Sequence, residues 1–342
     1  MKKSLIALAV LAASGAAMAQ SSVTIYGVAD VWVGSQKGTA TDFRAAAEAT
    51  TPAELLAAGV SVGGKSTTKM GSGGLSGSRI GFKGTEDLGG GLKAVFKLEQ
   101  GINLTNGDAA GFNRQSYVGL AGGFGEVTFG GTWTAMDDVM GASNSGFDSA
   151  LSASKNVLVA NAVYADHPGS TIKYVSPSFG GFSGGFSYSM DGDSAVKEDV
   201  TDFSLSYANG PIAANFAYQT QGDVSGSDDL KITALNGSYD LGVAKLLASY
   251  GQTKIDAAKS TDYQFGVDVP LSSALTLSAG YARSKDNAAA GDGKRTGYGI
   301  AAGYSLSKRT TAYAGFRTSN MKVAGVKVDE DRLIAVGLRH TF

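Results

Sequence analysis

Two histidines, His167 and His340, and no cysteine occur among the 342 residues. Thiolate catalysis, disulfides and zinc knuckles are excluded, and imidazole chemistry has two isolated starting points. His340 shares the phase of an apolar set near a segment end, where an interfacial or assembly role suits it. His167 stands where a long connection enters the next segment, a junction position rather than a metal ligand. What the chain repeats instead is charge on one face of alternating segments. Ile80 and Phe82 take one face, which turns Arg79 and Lys83 to the other. Leu92, Ala94, Phe96 and Leu98 do the same for Lys93, Lys97 and Glu99, and Ile172 and Tyr174 for Lys173. Cations on a wall break no bonds, but facing a water-filled gap they decide which ions and dipoles pass. The plainer reading is of wall or rim charges that keep such a gap wet. A formal charge of −1 and a pI near 6.1 lack the basic footprint of a nucleic-acid binder, so no such partner is expected.

The elements that must carry these charges are strands. Glycine numbers 49 and proline 5, a mixture that suits tight turns and strands better than helices, where each Gly costs about 1 kcal/mol. Residues 1–19 have a basic start (Lys2, Lys3), a short apolar stretch and Ala17-Met18-Ala19; this is the layout of a secretory signal peptide, leaving residues 20–342 as one domain. No later stretch approaches 18 consecutive apolar residues, so a helical membrane span is excluded. Period-two alternation runs through the remainder. Phe203, Leu205 and Tyr207 oppose Asp202, Ser204 and Ser206; Tyr298, Ile300, Ala302 and Tyr304 oppose Gly299, Ala301, Gly303 and Ser305; Ile334, Val336 and Leu338 oppose Ala335, Gly337 and Arg339. Segments of about 9–11 residues match a tilted strand crossing a bilayer, with Tyr and Phe near the ends as in an aromatic girdle. Lipid leaves no water for backbone groups, so such strands must close on themselves.

Seven short turns, such as Gly122-Gly123-Phe124-Gly125 and Asp240-Leu241-Gly242, alternate with eight longer connections, around 35–72, 103–111, 132–169, 191–199, 222–229, 256–261, 285–294 and 321–330. Fifteen connections give sixteen antiparallel strands, one rim trimmed to short periplasmic turns and the other carrying long extracellular loops. The strands near 230–240 and 309–320 alternate poorly. A barrel of this size leaves an aqueous channel. The third loop, residues 132–169, is small and apolar enough to pack against the wall.

The opening Ser22-Val23-Thr24-Ile25-Tyr26-Gly27-Val28, the run Ser78-Arg79-Ile80-Gly81-Phe82-Lys83-Gly84-Thr85-Glu86-Asp87-Leu88-Gly89-Gly90, Asn113-Arg114-Gln115-Ser116-Tyr117-Val118-Gly119-Leu120 and Tyr174-Val175-Ser176-Pro177-Ser178-Phe179-Gly180-Gly181 resemble the Gram-negative general diffusion porins, above all their betaproteobacterial branch. The tail Val336-Gly337-Leu338-Arg339-His340-Thr341-Phe342 resembles the family's ending, whose terminal Phe is read by the barrel-assembly machinery. The resemblance implies an outer-membrane homotrimer amid lipid and lipopolysaccharide. It implies no cofactor, and passive passage of ions and small hydrophilic solutes past an inward-folded third loop. It places Arg79 and Arg114 on the basic wall of the eyelet, with Asp137, Asp138 and Asp148 on the loop as opposing carboxylates; Lys83, Lys93, Lys97 and Lys173 are the further constriction candidates. Guanidinium groups stay charged at every relevant pH, so the two walls set up a transverse field. Two departures stand out. His167 occupies a position where family members often carry Arg, and the third loop lacks the Pro-Glu-Phe-Gly-Gly tip of the enteric branch.

Two alternatives belong to other classes. A solute-specific channel would line its pore with aromatic side chains, whereas the inward positions here are mostly small or charged. An outer-membrane protease or lipase would need a nucleophile beside an acid–base group, and neither histidine offers one. If the basic residues dominate the waist, the pore prefers anions.

Overall fold

Strands in lipid must pair every backbone N–H and C=O, and the chain does so by closing one continuous antiparallel sheet. The computed structural model describes residues 22–38, 65–190, 199–222, 229–323 and 325–342. The expected signal peptide and most of the first long connection lie outside the described residues. The strands are β1 (Ser22–Lys37), β2 (Thr67–Ser72), β3 (Arg79–Gly89), β4 (Leu92–Gly101), β5 (Gln115–Gly122), β6 (Gly125–Gly131), β7 (Thr171–Val175), β8 (Phe182–Ser189) and β9 (Val200–Asn209). They continue with β10 (Ile212–Gln221), β11 (Leu230–Asp240), β12 (Lys245–Ile255), β13 (Ala258–Pro270), β14 (Leu275–Asp286), β15 (Lys294–Ser305), β16 (Thr310–Val323) and β17 (Val326–Thr341). β2 and β3 share one position. β1 pairs with β2 through Val31 to Gln36 and with β3 through Ser22 to Val28. They are one stave interrupted by residues 73–78, so the closed barrel has sixteen strand positions. The seam joins β1 to β17, Val28 opposite Thr341 through Lys37 opposite Arg332. Gly27 and Phe342 exchange two backbone hydrogen bonds of 3.1 Å at its end.

Alternation sorts the side chains as the sequence implies. Val118, Phe129, Phe203, Leu205, Phe265, Ile300 and Val336 stand exposed on the outside, while Asp202, Ser204, Gln264, Ala301 and Ala335 are buried inside. β11 and β16 blur this pattern for a packing reason. Ile232 and Ala234 point inward and pack with Met136, Val139 and Ala160 of the third loop; Tyr313 points inward with Trp32 and Leu333 around Leu151. Their inner faces meet protein rather than water. The connections expected near 256–261 and 321–330 are also shorter than read. Ladders continue to Ile255 opposite Ala258 and to Val323 opposite Val326, with Asp256 and Gly325 supplying positive φ at the tight turns (47° and 84°).

Loop three, residues 132–170, leaves β6, crosses the lumen and returns to β7. Its backbone is fastened by inward polar side chains of the far wall. Met136 N donates to Asp202 Oδ1 (2.8 Å), Gly146 N to Ser278 Oγ (2.7 Å), Ala160 N to Asp262 Oδ2 (2.8 Å) and Ala165 N to Gln219 Oε1 (2.8 Å). Gln264 Nε2 donates to the Ser143 carbonyl (2.6 Å) and Asn236 Nδ2 to that of Val139 (2.9 Å). Close approach explains the glycines beneath it. A Cβ on Gly299 would lie 2.5 Å from the Leu151 carbonyl oxygen, and one on Gly280 would collide with Ser145.

Candidate functional site: the charged waist of the barrel

The near wall is built from adjacent strand rows. Register sets Lys83 of β3 opposite Lys97 of β4, and Lys97 opposite Tyr117 of β5. In the next row Tyr26 of β1 faces Gly81 and Gly81 faces Glu99, which faces Gln115. Side chains opposite one another share a face, here the lumenal one. The missing side chain at Gly81 opens a gap: a Cβ there would lie 2.5 Å from the Tyr26 hydroxyl oxygen. Tyr26 leans across it and donates its hydroxyl to Glu99 Oε2 at 2.7 Å.

Glu99 organises the cluster. Only 3% exposed, it takes Arg114 Nε on Oε1 at 2.7 Å and lies 3.6 Å from Arg79 Nε and 3.8 Å from Lys97 Nζ. One carboxylate thus holds three cations together against their mutual repulsion. Lys83 sits over the Tyr26 ring, 5.2 Å from its centroid, a cation–π contact that leaves its charge uncancelled. The Arg114 guanidinium lies 5.1 Å from the Trp133 ring centroid, and Trp133 meets His167 edge-on at 4.6 Å. His167 Nδ1 is 2.7 Å from Asp166 Oδ1. That contact raises the imidazole pKa, with burial and Arg114 opposing.

Residues 73–78, the interruption between β2 and β3, reach into the lumen beside this cluster. The fully buried Asp30 carboxylate accepts the N–H groups of Gly74 (3.0 Å), Leu75 (2.8 Å) and Ser76 (2.8 Å), and the Tyr313 hydroxyl. Arg79 Nη1 donates to the Gly77 carbonyl (3.0 Å), while Ala150 N on loop three donates to the Gly74 carbonyl (2.9 Å). The lumen is therefore narrowed from two sides. Between them lies a cavity of about 480 Å³, lined by Gly77, Asn144, Asp148, Lys155 and Tyr164 among others.

The sequence-derived residues divide into groups. Arg79, Lys97 and Arg114 converge on Glu99, with Lys83 one row away. Lys93 has the same phase but sits opposite Asp87 and Ala121 beside the short turn at Gly90 and Gly91, exposed and apart from the cluster. Lys173 is buried, its Nζ 2.6 Å from Asp138 and 3.5 Å from the Thr134 carbonyl, so this pair ties the start of loop three to the wall. Asp137 accepts the Tyr164 hydroxyl at 2.7 Å, and burial pushes its pKa up to about 6. Asp148 follows Gly146 and Phe147 through a left-handed turn (φ 64°, 61° and 47°), is held by Asn144 Nδ2 at 2.7 Å and faces the cavity. The Phe342 ring packs over Gly27 at the seam. Sequence reasoning turned Glu99 inward but left it out of the constriction set, and it missed Tyr26, Trp133, Asp30 and Lys155. Glu99 and Tyr26 carried a signal in the strand phase; Trp133 and Lys155 lie on a loop without one.

The sequence profile of the Gram-negative porins matches residues 5–323. The chain belongs to that family. This porin is 34% identical over 385 residues to outer membrane porin protein 32 of Delftia acidovorans, each chain covered completely. It is 29% identical over 401 residues to an outer membrane porin protein of Bordetella pertussis, again with full coverage of both. Among solved structures, the anion-selective porin from Comamonas acidovorans superposes with a TM-score of 0.74 and 28% identity, covering 94% of this chain and all of that one. The Vibrio cholerae OmpT variant lacking loop L8 superposes at 0.71 with 18% identity, a likeness of fold alone. The chain is thus a betaproteobacterial outer-membrane general diffusion porin. Members of the family are channels.

Proposed function

We propose that this general diffusion porin prefers anions, selecting them at an eyelet where Arg79, Lys83, Lys97 and Arg114 face Asp137 and Asp148 of loop three. The observation that carries the reading is the sharing of one carboxylate, Glu99, by three cations. Lys83 adds another charge beside them, while Lys173 cancels Asp138 at the start of loop three. A narrow passage with low-dielectric walls focuses such an excess. Because the Debye length is about 10 Å at 0.1 M salt, charges at the waist outweigh the −1 of the whole chain. Lys93, at the short-turn rim, attracts anions toward the entrance without narrowing it. Measuring reversal potentials across a planar bilayer in a KCl gradient tests the reading. A chloride-directed potential is expected, and a strong cation preference overturns it.

The solved Vibrio cholerae OmpT is described as a trimer form, and we assign the same homotrimeric assembly to this chain, embedded in outer-membrane lipid and lipopolysaccharide. Openings in steps of three are the expected single-insertion record. Phe342 closes the seam through Gly27, which suits a residue read by the barrel-assembly machinery. Phe342→Ala is expected to lower the amount of assembled barrel without altering the conductance of molecules that do assemble.

A further inference from the structure

Loop three carries a cation that its acidic reading omits. Lys155 lines the cavity of about 480 Å³ together with Asp148, Asn144 and Gly77, and its side chain is exposed there. It forms no ion pair with any described residue within 4.0 Å. Arg317 of β16, its cationic neighbour, is ion-paired with Asp331, and Asp148 is the carboxylate that acts on Lys155 from the same loop. The other side of the cavity is also cationic. A Cβ on Gly77 would lie 3.3 Å from Arg114 Nη1, and Arg79 Nη1 bonds the Gly77 carbonyl.

The Lys155 side chain takes no part in fastening the loop. Its backbone N–H donates to Ser152 (3.2 Å), the neighbouring Asn156 amide reaches Asp331 (3.3 Å), and Ala153 and Val157 are buried on either side. A four-carbon stem with a charged end, anchored at its base and unpaired at its tip, is free to meet what passes.

We propose that Lys155 is a specificity-determining residue of the pore, forming a second cationic wall across the eyelet from Arg79 and Arg114. This deepens the channel reading and rests on it. Small hydrated anions pass between cations on both sides, and the Lys155 charge offsets the field of Asp148. The transverse field is weaker than a wholly acidic loop would produce, and the attraction for anions along the pore axis is stronger. Anions that also bear a hydrogen-bonding group meet the amides of Asn144, Asn156 and Asn161 in the same cavity.

The test compares chloride-to-potassium permeability ratios of Lys155→Gln, Lys155→Glu and Lys155→Arg channels in a KCl gradient, with Arg114→Ser as reference. A several-fold fall is expected for Gln, a larger fall for Glu, and the parent ratio for Arg. If Gln and Glu leave the ratio unchanged while Arg114→Ser lowers it, the inference fails and the basic-wall reading stands; if none moves it, both fail. The chain has no cysteine, so Lys155→Cys supplies a single thiol. A methanethiosulfonate bearing an ammonium group is expected to restore the ratio, and one bearing a sulfonate to reverse it. Insensitivity to both reagents places Lys155 off the permeation path and overturns the proposal.

Discussion

The barrel has two inner walls, and the same alternation builds both. On β3 and β4, with Arg114 immediately before β5, the inward side chains are Arg79, Lys83 and Lys97, gathered about the buried Glu99. On β9 to β14 they face loop three, and they are Asp202, Gln219, Asn236, Asp262, Gln264 and Ser278. The first set gathers three cations around one carboxylate. The second replaces water for a buried loop backbone, whose N–H and C=O groups must be paired somewhere. An inward carboxylate is therefore not by itself a pore charge. Asp202 and Asp262 hold loop N–H groups and are buried, whereas Asp148 faces the cavity.

Breaking the far wall gives the largest effect. Asp202 accepts the Met136 N–H at 2.8 Å and the Ser187 hydroxyl at 2.7 Å, and Asp262 accepts the Ala160 N–H. Each Asp→Ala change strands a buried donor, at about 1–3 kcal/mol. The double variant Asp202→Ala/Asp262→Ala is expected to release loop three, giving a larger and noisier single-channel conductance. A quiet channel of parent conductance would mean that the loop is held by its apolar contacts, Met136 with Ile232 and Leu151 with Tyr313.

Charge changes on the near wall come next. Glu99→Gln removes the carboxylate shared by three cations. Anion preference is expected to rise several-fold, and the barrel to lose stability as the cations repel, readable as an earlier loss of folded barrel on heating. Arg114→Ser has the opposite sign for selectivity. The ratio moves toward cations, and since Arg114 also stacks on Trp133, Arg114→Lys recovers the ratio only in part. Lys93→Gln calibrates the pair, with little change expected, because Lys93 stands at the rim.

That last contrast shows what could be read in advance. Period two assigns a face, so Arg79, Lys83, Lys97, Lys173 and Glu99 were all turned inward from the sequence. It assigns neither height along the axis nor a covering. Lys93 has the phase of Lys97 but lies four residues nearer the turn, about 13 Å at 3.3 Å per residue. Lys173 faces inward yet is buried against Asp138. The strands near 230–240 and 309–320 alternate poorly because Ile232 and Tyr313 face inward against loop three rather than water. The loop itself has no period. Trp133 beneath Arg114 and Lys155 beside Asp148 follow from a path that hydrogen bonds to distant strands define, such as Gly146 to Ser278, 132 residues along the chain. The stave break at residues 73–78 depends likewise on Asp30, which reads as one more inward polar residue until three N–H groups are found on it.

The smallest effect is a pH dependence that compares the two walls within one molecule. Burial raises Asp137 to about 6, with Asp166 and Asp138 acting in the same direction and the Tyr164 hydrogen bond and Lys173 opposing. A carboxyl raised this far is ionised at pH 7 and mostly neutral at pH 5, so acidification removes negative charge from loop three. Anion preference is therefore expected to rise modestly between pH 7 and pH 5. Asp166 raises His167, so the imidazole takes up its proton at higher pH than an unperturbed one and works in the same direction. Asp137→Asn separates the two contributions. It should show the higher preference already at pH 7 and a shallower slope, and a slope identical to the parent's would assign the dependence to other groups of the loop, such as Asp148, which burial also raises, or His167.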